Sequence, residues 1–171
     1  MADPDASPLP AGDFTTWLGM IGSAISSGAT SDAPCGTCTG CCTAAQFIHI
    51  GADEADCLAH IPAALLFPAP GMPDGTVVLG YDERGRCPML VDGACSIYHH
   101  RPRTCRAYDC RVFAATGIES DKPTIAATAS RWQFAYSGAS ARDRQQEIRE
   151  IAARADRGAS ATQRAVMALQ G

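Results

Sequence analysis

Apolar residues near the start of the chain recur at helical spacing. Five of them lie three or four positions apart and share one helix face: Phe14, Trp17, Leu18, Ile21 and Ile25. Asp13 precedes this stripe and is a residue type typical of a helix N-cap. We therefore predict a helix from Phe14. Residues 1–12 are acidic and proline-rich, and we expect them to be disordered.

The middle of the chain alternates short apolar runs with turns. Residues 46–50 (QFIHI) and 76–81 (TVVLGY) are typical of short strands. Residues 52–61 (ADEADCLAHI) predict a short helix that the following proline ends. Prolines and a glycine in 68–73 indicate a loop, and Asp92-Gly93 predicts a hairpin turn.

The last third of the chain carries helical patterns. Three residues there suit a first helical turn or an N-cap: Pro123, Ser140 and Ser160. Trp132 and Tyr136 would share a face of the first helix. The second helix would carry an apolar stripe and end at Gly158; the stripe is Ile148, Ile151, Ala152 and Ala155. Gln163 would complete a capping box for the third.

These elements predict an α+β fold. We expect a small irregular cysteine-cluster module with short strands, covered by N- and C-terminal helices. A chain of 171 residues suits one domain with a helical annex. We divide it into a disordered segment 1–12, a cysteine-cluster domain 13–117 with its leading helix, and a helical extension 118–171 packed on that domain.

Composition narrows the function classes. A net charge of -4 argues against nucleic acid as the main partner. The apolar stretch 14–25 is too short to span a membrane and is interrupted by glycine. The N-terminus has neither the positive start nor the apolar run of a secretory signal. We therefore expect a soluble, cytoplasmic protein.

The chain has nine cysteines, and eight of them fall into two groups. The first group, in CGTCTGCC, is Cys35, Cys38, Cys41 and Cys42. The second group is Cys87, Cys95, Cys105 and Cys110. A reducing compartment and an odd count argue against a disulfide framework. Four thiolates are instead the ligand set of tetrahedral zinc or of one iron–sulfur cluster. We therefore expect metal to organise the cysteine-cluster module and residues 13–117 to form the metal-binding domain.

The spacing of the cysteines limits how they share a metal. A Cys-x-x-Cys turn aims two sulfurs at one point. Cys41 and Cys42 are neighbours whose side chains point apart in extended backbone, so we do not expect both to ligate one mononuclear ion. Cys105 and Cys110 would lie about 140° apart on a straight helix. A shared metal would therefore need a bend between them.

Other interpretations of the thiols stay open. Cys57 stands alone and is predicted to pack as a small hydrophobe, with a spare redox thiol as the alternative. Cys35 and Cys38 alone would suit a thioredoxin-like pair, but further cysteines at the same spacing favour ligation. A nucleophilic cysteine would need a base, and the candidates are His49, His60, His99 and His100. We expect His99 and His100 to be exposed, with replacement of a sulfur ligand by one of them as the alternative.

Arginines are frequent around the second group. They are Arg84, Arg86, Arg101, Arg103, Arg106 and Arg111. Their charge could offset a metal bound by four thiolates, and their N–H groups could donate to sulfur. Both this role and a solvated surface role stay open for Arg101 and Arg106, while the other four are predicted to be solvated. Arg101-Pro102 is predicted to start the helix that carries Cys105, and Tyr98 to pack against the site.

The motifs resemble the bacterial cysteine-cluster proteins of the YkgJ type, which are described as zinc- or iron-chelating. The C-x-x-C-x-x-C-C signature is met in full by the first group. The second half is met by Cys87-Pro88 with Leu90, Cys95-Ser96-Ile97-Tyr98, Arg101-Pro102, Cys105-Arg106 and Cys110. The resemblance covers residues 35–113 and implies metal chelation by these eight cysteines.

Three functions follow as expectations. The first is an iron–sulfur protein in electron transfer, redox sensing or a cluster-dependent reaction. The second is a zinc protein whose metal serves architecture and protein binding. The third is a metal-dependent modifying enzyme, because the same domain occurs in proteins that look like flagellin lysine N-methylases; the chain shows no glycine-rich nucleotide loop after a strand. We place the iron–sulfur protein first.

Overall fold

The computed structural model describes residues 7–31, 33–35 and 38–171. The chain divides into two compact units. Unit 1 comprises Met1–Pro34 with Asp109–Gly171, and unit 2 is Cys35–Tyr108. The leading helix and residues 109–117, which we had grouped with the cysteine domain, thus belong with the C-terminal helices.

The chain combines helices with short strands, as an α+β prediction requires. The helices are α1 Phe14–Ser27, α2 Ala55–Ala59, α3 Arg103–Ala107, α4 Arg111–Thr116, α5 Pro123–Ala129, α6 Ala139–Ala153 and α7 Ala161–Gln170. The strands are β1 Leu9–Asp13, β2 Ile48–Ile50, β3 Leu66–Pro68, β4 Val77–Leu79, β5 Leu90–Val91, β6 Ala94–Cys95 and β7 Trp132–Ala135. Single 3-10 turns lie at Cys41–Thr43, Ala63–Leu65 and Tyr98–His100.

Helix α1 confirms the N-terminal prediction. The Asp13 carboxylate accepts a hydrogen bond of 2.9 Å from the Thr16 amide, which caps the helix. Phe14, Trp17 and Ile21 are buried on one face. No helix within the described ranges is long and apolar enough to cross a membrane.

Strands β1 and β7 correct two predictions in unit 1. Leu9–Asp13 is not disordered but pairs in parallel with Trp132–Ala135, and a bulge between Pro10 and Gly12 accommodates the irregular segment. Residues 1–6 of the predicted disordered segment lie outside the described residues. Trp132–Ala135 is not helical; its burial alternates along the segment, as in a strand with one face buried.

The C-terminal helices follow the predicted start signals with one exception. Helix α5 has Pro123 in its first turn. Helix α7 has the predicted capping box between Ser160 and Gln163. Helix α6 starts after Gly138 rather than being capped by Ser140, and it ends at Ala153, before Gly158.

Unit 1 has its own core. Alanine and a few larger apolar residues are buried on α4, α6 and α7: Val112, Phe113, Ala115, Ile148, Ala152, Ala165 and Ala168. Phe14 on α1 meets Phe134 on β7 edge to face, with ring centroids 5.2 Å apart. Helix α1 therefore packs against β7, which pairs with β1 and lies in the C-terminal part of the chain.

Unit 2 is built on a small antiparallel sheet in the order β2-β4-β3. Its buried cluster consists of Ile50, Cys57, Ile61, Leu79, Met89 and Ile97. Strands β2 and β4 lie within the predicted runs, whereas β3 was not predicted. Helix α2 is shorter than the predicted 52–61. Cys57 is 4% exposed within this cluster, in agreement with its predicted packing role.

Candidate functional site

Main-chain hydrogen bonds join the two cysteine groups within unit 2. The Cys87 amide donates to the Cys42 carbonyl at 2.7 Å, and the Ala45 amide donates to the Gly85 carbonyl at 2.9 Å. Gly85 has a left-handed φ of +73°, and a Cβ there would lie 3.2 Å from the Ala45 Cβ. Glycine at position 85 therefore lets the second group start directly beside the end of the first.

The first group lies on tight turns. The Cys38 amide donates to the Cys35 carbonyl, which is the turn that Cys-x-x-Cys spacing predicts. A 3-10 turn follows at Cys41–Thr43, and the Thr43 hydroxyl donates to the Thr39 carbonyl at 3.0 Å. The four thiols of this group are half-buried.

A hairpin positions Cys95. Leu90 pairs with Cys95 across β5 and β6. Asp92 and Gly93 both have positive φ, +49° and +77°, as a two-residue turn with left-handed residues requires. The Ser96 amide also donates to the Met89 carbonyl at 2.8 Å. The predicted Asp92-Gly93 turn is confirmed, and it brings Cys95 back toward the segment that begins at Cys87.

Helix α3 positions Cys105. Pro102 precedes the helix, which confirms the predicted helix start. The Thr104 hydroxyl donates to the His49 carbonyl on β2 at 2.6 Å, and the Arg103 amide donates to the Glu54 carboxylate at 2.5 Å. The helix ends at Ala107, and Tyr108 is extended. The helix is thus interrupted between Cys105 and Cys110.

The thiols of the two groups affect one another's ionisation. Burial and then the negative charges of nearby thiolates raise the pKa of Cys42 to about 12; those thiolates are Cys87, Cys95, Cys35 and Cys38. Burial and then the charges of Cys87, Cys42 and Cys95 raise the pKa of Cys105 to about 12. Six thiols from both groups are therefore electrostatically linked in unit 2: Cys35, Cys38, Cys42, Cys87, Cys95 and Cys105.

Arg101 is the arginine that faces this thiol group. Its Nη1 donates to the Cys35 Sγ at 3.8 Å, and its charge lowers the pKa of Cys105 against the larger effects that raise it. Its Nε donates to the Tyr98 carbonyl at 2.8 Å, and its guanidinium lies 3.8 Å from the Tyr98 ring centroid. Of the two roles left open for Arg101, hydrogen bonding to sulfur is the one observed.

The described cysteine sulfurs lie farther apart than three ligands of one metal ion would. Among the residues described, no three cysteine sulfurs lie within 4.8 Å of one another. Tetrahedral zinc with Zn–S bonds of about 2.3 Å would hold its sulfurs roughly 3.8 Å apart. In a four-iron cluster each cysteine binds a different iron atom, so its sulfurs lie farther apart than those around one zinc ion.

Cys110 belongs to unit 1, whereas the other seven predicted ligands belong to unit 2. It is buried just before α4, and the Trp132 indole donates to its Sγ at 3.1 Å. Cys41 is half-buried on the 3-10 turn Cys41–Thr43, next to Cys42.

A buried ion pair flanks Cys110 and was missed in the sequence. Arg111 was predicted to be solvated but is 4% exposed, and its Nη2 lies 2.6 Å from Asp109 Oδ2. The Trp17 indole donates to the same carboxylate at 3.1 Å, and Arg111 Nη1 donates to the Ala11 carbonyl at 3.1 Å. In the sequence, the only local indication of this ion pair is that the oppositely charged Asp109 and Arg111 flank Cys110.

Two other arginines are surface residues, as predicted. Arg86 pairs with Asp82, and Arg103 pairs with Asp53, in contacts where both side chains are substantially exposed. Their charges are therefore well screened by solvent. Arg101, by contrast, acts on the thiol group through Cys35 and Cys105.

The comparisons with known proteins add no relative. The chain matches no protein-family model, no curated protein and no solved structure.

Proposed function

We propose that this protein binds an iron–sulfur cluster through cysteines of unit 2 and uses it in electron transfer or redox sensing. The observation that carries the proposal is the gathering of thiols from two segments, which the Cys87–Cys42 main-chain bond holds side by side. The ligands would come from the six linked thiols: Cys35, Cys38, Cys42, Cys87, Cys95 and Cys105. Such a cluster, when bound, exchanges single electrons.

The electrostatics support a bound cation rather than a free reactive thiol. A nucleophilic or redox-exchanging cysteine requires a lowered pKa, whereas the pKa values of Cys42 and Cys105 are raised. Deprotonating several of these thiols together costs energy unless positive charge compensates them. Metal ions provide that charge from within the group, and Arg101 adds to it from the side of Cys35.

The sequence spacing of Cys35, Cys38 and Cys41 favours a cluster over one zinc ion, because it resembles the run of cluster ligands in bacterial ferredoxins. Six thiols whose charges act on one another support a shared metal centre. Membership of the YkgJ-type family, which the motifs suggest, is part of the same proposal. The resemblance also implies Cys41 and Cys110 as ligands.

Anaerobic purification followed by elemental analysis tests the proposal. We expect a brown protein with iron and acid-labile sulfide in equal amounts and visible absorption that bleaches on reduction with dithionite. A colourless protein with stoichiometric zinc, unchanged by dithionite, would contradict the cluster and favour a structural zinc site. A folded protein without metal after anaerobic handling would contradict both.

A further inference from the structure

A second group of metal-ligand side chains, free of sulfur, lies at the surface of unit 2. His100 Nδ1 is 2.8 Å from Asp56 Oδ2. His60 Nδ1 is 2.7 Å from the Asp56 carbonyl oxygen and 4.0 Å from Asp56 Oδ1. The two imidazoles are stacked, with centroids 3.6 Å apart and planes 9° from parallel. One donor atom from each of the three residues lies within 4.8 Å of the other two.

The buried cluster of unit 2 fixes the positions of these three residues. Asp56 and His60 are four positions apart and lie on the same side of α2, where His60 is the C-cap residue. His100 ends the 3-10 turn Tyr98–His100. Cys57 on α2 and Ile97 before the turn are both buried in the cluster of unit 2. The group is therefore fixed by the core although His100 lies 44 positions after Asp56 in sequence.

The side-chain donor atoms of these three residues favour a particular class of metal ion. Two imidazoles and one carboxylate suit zinc and the neighbouring divalent transition metals, and they lack the soft thiolates that an iron–sulfur cluster uses. The Asp56 side chain is 74% exposed, and those of His60 and His100 are 41% and 38% exposed. Water can therefore complete the coordination of an ion held by three protein ligands.

We propose that Asp56, His60 and His100 form a divalent transition-metal site for Zn²⁺ or an ion of similar preference, separate from the thiol group. Parallel imidazoles 3.6 Å apart do not direct both nitrogens at one ion, so binding requires the half-exposed rings to turn apart. The ion then replaces the hydrogen bond between His100 and the Asp56 carboxylate and releases any proton that the ligands carry. The ion keeps open coordination positions, as three-ligand zinc sites do. This site does not depend on the proposed cluster.

Cobalt titration of the untagged, anaerobically purified protein tests the site. We expect one equivalent of Co²⁺ to bind with visible d–d bands and without thiolate-to-cobalt charge-transfer absorption. His60→Ala, His100→Ala and Asp56→Asn should each weaken that equivalent by at least about tenfold. His99→Ala is the matched control, because His99 is the exposed neighbour of His100, and it should bind cobalt as the wild type does.

Three results would overturn the site. They are the absence of cobalt binding, cobalt binding that carries only thiolate charge-transfer bands, and equal binding by the wild type and the two histidine variants. Zn²⁺ should also shift the imidazole NMR signals of His60 and His100 but not that of His49. Since the cluster is read from iron and acid-labile sulfide, and this site from cobalt stoichiometry in the histidine variants and from histidine NMR signals, the failure of one is distinguishable from the failure of the other.

Discussion

At the scale of single residues, Cys38 and Cys105 separate ligation from packing. Each is half-buried and comes from a different cysteine group. Serine at either position keeps the size but replaces a soft sulfur donor with a hydroxyl, so we expect Cys38→Ser and Cys105→Ser to lose most of the bound metal. Metal content and visible absorption measure the loss. Cys57→Ala is the control: it opens a small gap in the core but should retain the metal, and metal loss there would contradict the ligand assignment.

The charge of Arg101 should tune the proposed cluster. Its guanidinium donates to the Cys35 sulfur, and a positive charge beside a cluster favours the reduced, more negative state. Arg101→Gln should therefore make the reduction potential more negative in a redox titration. Arg86→Gln, at an arginine paired with the exposed Asp82, should leave the potential nearly unchanged. Equal shifts in the two variants would contradict a specific role for Arg101.

The buried Asp109–Arg111 pair should matter for stability more than any exposed pair. Asp109→Asn leaves the Arg111 charge in the interior without its counter-charge, which costs about 3–5 kcal/mol in buried pairs. Denaturant unfolding measures the change in the free energy of unfolding. Asp82→Asn removes the carboxylate of the exposed Asp82–Arg86 pair and should have a much smaller effect. Similar losses in both variants would show that burial does not set the cost.

At the scale of elements, local signals predicted what local interactions determine. The Asp13 cap, Pro123 in a first turn and the Asp92-Gly93 turn each need only neighbouring residues, and each was found. The β1–β7 pair was missed because its strands lie more than 100 positions apart and each gains its hydrogen bonds only from the other. The Asp56–His100 contact was likewise missed, since no local pattern indicates a partner 44 positions away. For Asp109 and Arg111 the sequence shows the neighbouring opposite charges but not their burial, which depends on the fold around them.

Two serines offer a matched test of helix capping. Ser160 accepts from the Gln163 amide, and Gln163 accepts in return from the Ser160 amide. Ser160→Ala should lower the free energy of unfolding by about 1 kcal/mol. Ser140 was predicted as a cap, but α6 starts after Gly138, so Ser140→Ala should change stability little. A larger loss from Ser140→Ala, measured by thermal and denaturant unfolding, would contradict the observed helix start.

At the scale of the whole molecule, the two units differ in the interactions that can stabilise each of them. Unit 1 has longer helices with their own buried faces on α4, α6 and α7. Unit 2 has strands of two or three residues and a buried cluster of six residues. A sheet and a core this small provide little stability on their own. The cysteine spacing predicted a metal in the segment that forms unit 2. The sequence could not give the boundary between the units, because unit 1 is assembled from both ends of the chain.

Metal removal should therefore affect the two units unequally. Ligation provides folding free energy in small metal-bound modules, so we expect chelator treatment under reducing conditions to speed hydrogen exchange of backbone amides across residues 35–108. The strongest increase should occur at amides that join the cysteine groups, such as that of Cys87, which donates to Cys42. Amides of α6 and α7 should keep their protection because their core contains no cysteine from the thiol group. Mass spectrometry of peptides from metal-loaded and metal-free protein measures the difference. Unchanged exchange in unit 2 would show that the metal does not stabilise it, and equal loss of protection in both units would show that they unfold as one.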